Sequence, residues 1–402
     1  MVDAKLLQAI VELRGKGYTY KHIGDLTGEG EERVRGLYRR HAAKLTAPAE
    51  PELPDLDELS RRERERQEQQ HHDRLFKELL GQRSQTDAII EAIRGVLPRV
   101  PLREIETLEI PRFHDGRQQV GFLALSDLHI GAVADREETG GFGEYSYPVF
   151  RRRLANLRDA VRSITLRERH FGPITHLVVA SLGDVIENDE IFPAQQQMVD
   201  LDLTEQFISA VDDVAGFLVE LLDTYETIFV PTVTGNHGRI GRRGQRKRHI
   251  NWDYLVGHML KAKLEQYADR ITIEVPKAPF MVVDILGYKF LLRHGDGIKS
   301  WAGIPYYGIQ RSVGRWTAIQ ATTGDRFDYM VMGHFHQPAS IPFTAGEVLI
   351  NGCFPGTTEF SVEVMESLAR PMQLFGFVHP QYGLGARFPI YLDRTTHQRA
   401  AS

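Results

Sequence analysis

The chain has 402 residues, 42% of them apolar, so it exceeds one ordinary domain and can bury a sizeable core. Its formal charge of -5 excludes indiscriminate polyanion binding by the whole surface and leaves only local basic patches for nucleic acid. A single cysteine, Cys353, excludes an internal disulfide, and no signal-type apolar core or membrane-length run is present, which predicts a cytoplasmic protein without a membrane partner.

Residues 1–48 predict a three-helix module. Leu6, Leu7, Ile10, Val11 and Leu13 form one helical stripe, residues 20–26 a short second helix and residues 31–45 a third, with Gly28 and Gly30 marking the turn. Three short helices with a Gly turn resemble a helix-turn-helix module, and Arg33, Arg35, Arg39 and Arg40 on the third helix would then face DNA. Small three-helix bundles also dock proteins, so that alternative stays open.

Residues 49–112 read as a Pro- and Glu-rich linker followed by a charged, then amphipathic helical stretch at 59–97. Leu75, Leu79, Leu80, Ile90, Ile93 and Leu97 recur at helical spacing there, which suits a homodimer seam. Arg83 and Thr86 interrupt it, which suits packing on a neighbouring domain equally well. Pro98 and Pro101 end the stretch.

From residue 113 onward the pattern changes to short β-branched and apolar runs, each giving way to a polar cluster. Residues 120–125 lead into Asp127-Leu-His129, residues 177–180 into Gly183-Asp184, and residues 228–233 into Gly235-Asn236-His237. Residues 290–292 lead into His294, and residues 329–332 into Gly333-His334-Phe-His336. Such runs read as buried strands ending in loops, and open α/β sheets gather ligands beyond the carboxyl ends of their strands. Any one cluster alone is a common turn. Five in succession point to one site. Carboxylate, imidazole and amide oxygen without thiolate suit a borderline-to-hard divalent ion and exclude cysteine-rich structural zinc. Two divalent ions, two carboxylates and one hydroxide sum to roughly one positive charge, which favours phosphate.

The order Asp-x-His, Gly-Asp, Gly-Asn-His, His, Gly-His-x-His resembles the calcineurin-like metallophosphoesterase superfamily, over roughly residues 118–355. Within it, the chain looks similar to phage and bacterial relatives of the double-strand-break repair nucleases. The resemblance implies an α/β fold in four layers, a two-sheet α/β/β/α sandwich at 113–402, preceded by the helical module and linker. It implies two divalent ions, manganese foremost with iron or zinc as alternatives. One would be held by Asp127, His129, Asp184 and His336, and the other by Asp184, Asn236, His294 and His334, with Asp184 bridging. His237 would match the general acid. Ions about 3.5 to 4 Å apart lower the pKa of a shared water and clamp a phosphoryl group for in-line attack. The family usually has an acidic residue after that histidine, where this chain has Gly238, and Glu187 is a candidate substitute partner.

Arg239, Arg242, Arg243, Arg246, Lys247 and Arg248 follow His237 closely, so these cations should border the site and contact the phosphates of a polymeric substrate. The competing reading is a solvated surface loop. Trp301, Tyr306, Tyr307 and Trp316, interleaved with Lys299, Arg311 and Arg315, could stack bases, but Ile304, Ile309, Val313 and Ile319 favour a packed helix. Residues 131–145 read as a rim loop, residues 348–352 as a strand and turn of the second sheet, and residues 358–390 as peripheral. The preferred function is a metal-dependent DNA nuclease. Alternatives are a phosphomonoesterase or small-molecule or cyclic-nucleotide phosphodiesterase, and a DNA-binding scaffold with a vestigial site.

Overall fold

A computed structural model describes residues 4–45, 118–192, 195–298, 305–322, 326–363 and 366–393. The anticipated linker and amphipathic helix, including the homodimer seam at 59–97, lie outside the described residues, as do Lys299, Trp301 and Ile304.

The amino-terminal unit consists of α1 (Ala4–Gly15), α2 (Tyr20–Thr27) and α3 (Glu31–Leu45). The Thr19 side chain accepts from the His22 amide to start α2, and Gly28 at φ 74° ends it. Ile10, Ile23, Val34 and Leu37 form its buried core. A Cβ at Gly24 would meet the Glu29 carbonyl oxygen at 2.6 Å, so the turn can fold back on α2 only at a glycine. Arg33, Arg35, Arg39 and Arg40 are exposed on α3. Two of them are partly neutralised, Arg33 by Glu29 at 3.3 Å and Arg35 by Glu31 at 2.6 Å.

The second unit is built on two sheets. Parallel strands β1 (Gln119–Leu125), β2 (Ile174–Ser181), β3 (Thr227–Pro231) and β4 (Ile271–Glu274) form the middle and one edge of the first sheet. The second sheet runs in the order β5 (Phe280–Ile285), β6 (Tyr288–Arg293), β7 (Tyr329–Met332), β9 (Gly346–Ile350), β8 (Ala339–Phe343). The period-2 alternation of each strand decides what lies on its faces. On β1, Val120, Phe122 and Ala124 meet Phe290, Leu292, Val331 and Leu349 of the second sheet. Leu123 and Leu125 point the other way, into a core shared with α4 (Tyr147–Glu168), α5 (Leu203–Leu221) and α6 (Trp252–Lys263). On the outer face of the second sheet, Leu291, Met330, Met332 and Val348 pack on Ile309 and Val313 of α7 (Tyr306–Ala321). Helices, sheet, sheet and helix therefore follow one another in four layers.

Two expectations change. Residues 358–390 are not peripheral: β10 (Met372–His379) pairs antiparallel with β1, and β11 (Gly383–Tyr391) pairs outside it. Phe375 and Phe377 are fully buried there, but Gln373 and Gly376 interrupt the apolar run and blur its strand pattern. The aromatic segment before the last motif divides in two. Trp316 packs against Phe280 with ring centroids 4.6 Å apart, whereas Tyr306 and Tyr307 at the start of α7 are exposed. Among the described residues, no helix is long and apolar enough to cross a membrane.

Candidate metal centre

The polar clusters sit where strands of the two sheets end, and several of their residues adopt conformations that L side chains avoid. Asp127 (φ 53°), His129 (47°), Asp184 (54°), His334 (71°) and His336 (56°) all lie in the left-handed region. Each such non-glycine residue costs of order 1 kcal/mol or more and persists only where its surroundings dictate it. The surroundings here are hydrogen bonds between motifs. The Asp127 amide donates to the Gly183 carbonyl at 3.1 Å, and the His129 amide to the Asp184 carbonyl at 3.1 Å. The His334 amide donates to the Asp127 carboxylate at 3.0 Å, and the His237 amide to Asp184 Oδ1 at 2.7 Å.

The structure brings together all seven residues anticipated as ligands. Donor atoms of Asp127, His129 and His336 lie within 4.8 Å of one another, as do those of Asp184, His294 and His334, and those of His129, Asp184 and His237. Asn236 joins them, its Oδ1 being 3.1 Å from His294 Nε2. Two of the imidazoles have their roles fixed by their outer nitrogen. His294 Nδ1 is 2.7 Å from the Leu182 carbonyl, and His129 Nδ1 is 2.7 Å from Glu187 Oε2. In each, Nδ1–H is committed to an oxygen and Nε2 is turned inward, where a divalent cation would take the place of a proton. His129 Nε2 and His336 Nε2 then face each other at 3.2 Å, a contact that needs a proton or a cation between two lone pairs. The donor set fits one or more divalent ions.

Electrostatics tie the cluster together. Burial opposes ionisation of Asp184, but the positive rings of His294 and His237 hold its carboxyl well below the usual range. Burial likewise opposes charge on His237, and the Glu187 and Asp184 carboxylates overcome it, raising that ring to about 9. His294 is raised to about 9 against burial by Asp184. His334 goes the other way, down to about 4, through burial and the neighbouring charge of His294.

Glu187 stands where the sequence suggested a partner for His237, with its Oε2 3.1 Å from His237 Nδ1. Gln195 secures it, donating to Glu187 Oε1 at 2.8 Å and to the Glu187 carbonyl at 2.9 Å. The reason for Gly238 is also visible. A Cβ there would lie 2.3 Å from Asn251 Oδ1 and 2.9 Å from the Asp253 carboxyl carbon, so another acid already occupies that space. Buried Asp253 accepts from the amides of Asp184 (3.0 Å), Val185 (3.1 Å) and Gly235 (2.8 Å), pinning two of the motif loops to the start of α6. Asp253 was not anticipated from the sequence. Its signal was Asn251-Trp-Asp253, a helix-start pattern in which Asn251 Oδ1 accepts from the Asp253 amide at 2.7 Å.

The basic loop divides. Arg242, Arg243 and Lys247 are exposed and Arg246 is half-buried. Arg239 lies against the ring of Phe192, with its guanidinium carbon 5.3 Å from the centroid. Arg248, anticipated as a phosphate contact, is instead a strut. It grips Asp296 through two bonds of 2.6 and 2.7 Å and donates to the Thr234 carbonyl at 2.8 Å, so its charge is already matched.

No family model and no curated protein matches the chain. Among solved structures it is similar to Vps29 from Entamoeba histolytica complexed with zinc, at 11% identity and a TM-score of 0.29, covering 63% of this chain and 84% of that one. It is similar to an archaeal phosphodiesterase at 14% identity and a TM-score of 0.27, covering 64% and 92%. It is also similar to a predicted phosphoesterase from Streptococcus pneumoniae at 11% identity and a TM-score of 0.25, covering 68% and 98%. The chemistry rests on this chain's own residues.

Proposed function

We propose that this chain is a two-metal phosphodiesterase of the calcineurin-like type whose substrate is DNA. The observation that carries the reading is the convergence of Asp127, His129, Asp184, His294, His334 and His336 into overlapping donor groups, five of the six at left-handed backbone angles. One ion falls to Asp127, His129, Asp184 and His336, the other to Asp184, Asn236, His294 and His334, with manganese the first candidate among manganese, iron and zinc. When bound, the ions supply Lewis-acid charge stabilisation and bring the pKa of water toward neutrality.

The chain's own residues do the rest. Glu187 holds His237 by Nδ1 and favours its charged form, so the ring is a proton donor for the departing oxygen at neutral pH. Asp253 keeps the Asp184 and Asn236 loops in register. Arg242, Arg243, Arg246 and Lys247, a few residues beyond His237, form a cationic track suited to the flanking phosphates of an extended strand.

The amino-terminal unit supports a polymeric substrate over a small one. Its short α2, tight glycine turn and longer α3 with exposed arginines suit a helix-turn-helix that lays α3 in the major groove. The deciding experiment is incubation with linear and circular DNA, single-stranded and duplex, beside a chromogenic phosphomonoester, with manganese and with chelator. Metal-dependent DNA cleavage is expected, and cleaved circles would make it an endonuclease. Monoester turnover with intact DNA would overturn the nuclease reading in favour of a phosphomonoesterase.

A further inference from the structure

Beside the candidate acid stands an aromatic ring that the metal chemistry does not use. Phe192 is 45% exposed. Its ring centroid lies 5.2 Å from that of His237 and 5.3 Å from the guanidinium carbon of Arg239. The backbone that carries the ring is hydrogen-bonded into the site. Buried Gln195 accepts from the amides of Ile191 (3.0 Å) and Phe192 (3.2 Å) with its Oε1, while its Nε2 holds Glu187. Arg239 donates to the Ile191 carbonyl at 3.3 Å, and Asn188 Nδ2 donates to the carbonyls of both His237 and Arg239. One amide side chain, that of Gln195, thus sets the position of the aromatic ring and of the carboxylate that orients the acid.

We infer that Phe192, with Arg239 against it, is a stacking shelf for the unpaired nucleobase of the leaving nucleotide. Three considerations select that occupant. An exposed aromatic ring beside a guanidinium binds flat π-faces of any base without reading sequence. The shelf adjoins His237, the group that protonates the departing oxygen, and therefore lies on the leaving side of the scissile phosphate. A base stacked on a protein ring must be out of its duplex stack, so the shelf selects single-stranded or frayed positions, complementing a helical module suited to duplex. The inference rests on the phosphodiesterase reading and adds a specificity residue to it.

The test uses the full-length protein with manganese and dinucleotides joined by one phosphodiester: dithymidine, and analogues abasic on the leaving side, on the other side, or on both. Wild type is expected to show a KM for dithymidine at least about fivefold below that for the analogue abasic on the leaving side, the lower end of what base stacking on an aromatic side chain supports. An analogue abasic only on the other side should behave like dithymidine. Phe192→Leu should bring the ratio to about one through KM rather than kcat, and Phe192→Trp should keep it. An equal KM for all substrates in wild type, or an unchanged ratio in Phe192→Leu, overturns the shelf alone. Failure to hydrolyse any of the four overturns the phosphodiesterase reading, and the shelf falls with it.

Discussion

Glu187 Oε2 lies 3.1 Å from Nδ1 of His237. The same oxygen is 2.7 Å from Nδ1 of His129, so one carboxylate faces both a proposed metal ligand and the proposed acid, whose Nδ1 also meets the Glu187 backbone carbonyl at 3.1 Å. Glu187→Gln keeps the shape and removes the charge. It should lower metal affinity about 10- to 100-fold, as removing the partner behind a ligating histidine does, and it should lower kcat as well. His237→Asn should keep the metal content and reduce turnover by about 10²- to 10⁴-fold. Elemental analysis beside phosphodiester kinetics separates the two, and parental turnover in His237→Asn would remove the acid assignment.

Asp184 contributes to two overlapping donor groups. Asp184→Asn should therefore deplete both ions together, while Asp127→Asn should deplete chiefly the one shared with His129 and His336. Unchanged metal content in Asp184→Asn would refute its bridging position.

Asp253 satisfies three buried backbone amides. Leaving a buried donor unpaired costs about 1–3 kcal/mol, so Asp253→Ala should destabilise the fold by at least about 3 kcal/mol and lower Tm accordingly. Gly238→Ala should also be destabilising, because its Cβ would fall 2.3 Å from Asn251 Oδ1. Calorimetry on the two variants checks both.

Stability of the chelator-treated protein should peak near pH 6.5. His237 and His294 are raised to about 9 in the fold, so their contribution is complete below about 6.5, the unfolded value, and is lost as pH rises through about 9. His334 is lowered to about 4, so its contribution is present above about 6.5 and is lost as pH falls through about 4. Tm measured from pH 4 to 10 should fall on both sides of the maximum. Saturating divalent metal should flatten the alkaline side, because ligation replaces the protons on His294. A monotonic profile without metal would contradict the assignment.

Replacing Arg242, Arg243 and Arg246 with alanine should make DNA binding less salt-dependent, the logarithmic slope falling by roughly 0.7 to 0.9 for each phosphate that the loop no longer neutralises. Arg248→Ala should act differently, lowering Tm because it strands the half-buried Asp296 carboxylate. Equal slopes for the triple variant and wild type would show the loop to be merely solvated.

The strands that deliver the motifs were legible because each is a short apolar run closing on a polar cluster, and β1, β2, β3, β6 and β7 fall where that pattern put them. The three helices at the amino terminus were legible from Leu and Ile spacing and two glycines. What escaped depended on distance in sequence. Asp253 looks like an ordinary helix cap until the fold sets it against Asp184, 69 positions away. Arg248 reads as one more cation in a basic run until Asp296 meets it from 48 positions away. Phe192 carries no local pattern, since a lone phenylalanine after isoleucine looks like core. β10 is obscured in the sequence because Gln373 sits within it, although that glutamine is buried and bonds Ser126 and Asn351 beneath the first motif.

That strand has a consequence for how the protein is made. Every residue proposed to touch a metal has been synthesised by position 336, yet the neighbour that completes the hydrogen bonding of β1, and so supports Asp127, is added only between 372 and 379. A chain that stops before residue 372 therefore carries the entire proposed ligand complement while β1 still lacks its outer neighbour, so completion of the first sheet waits on the final strands.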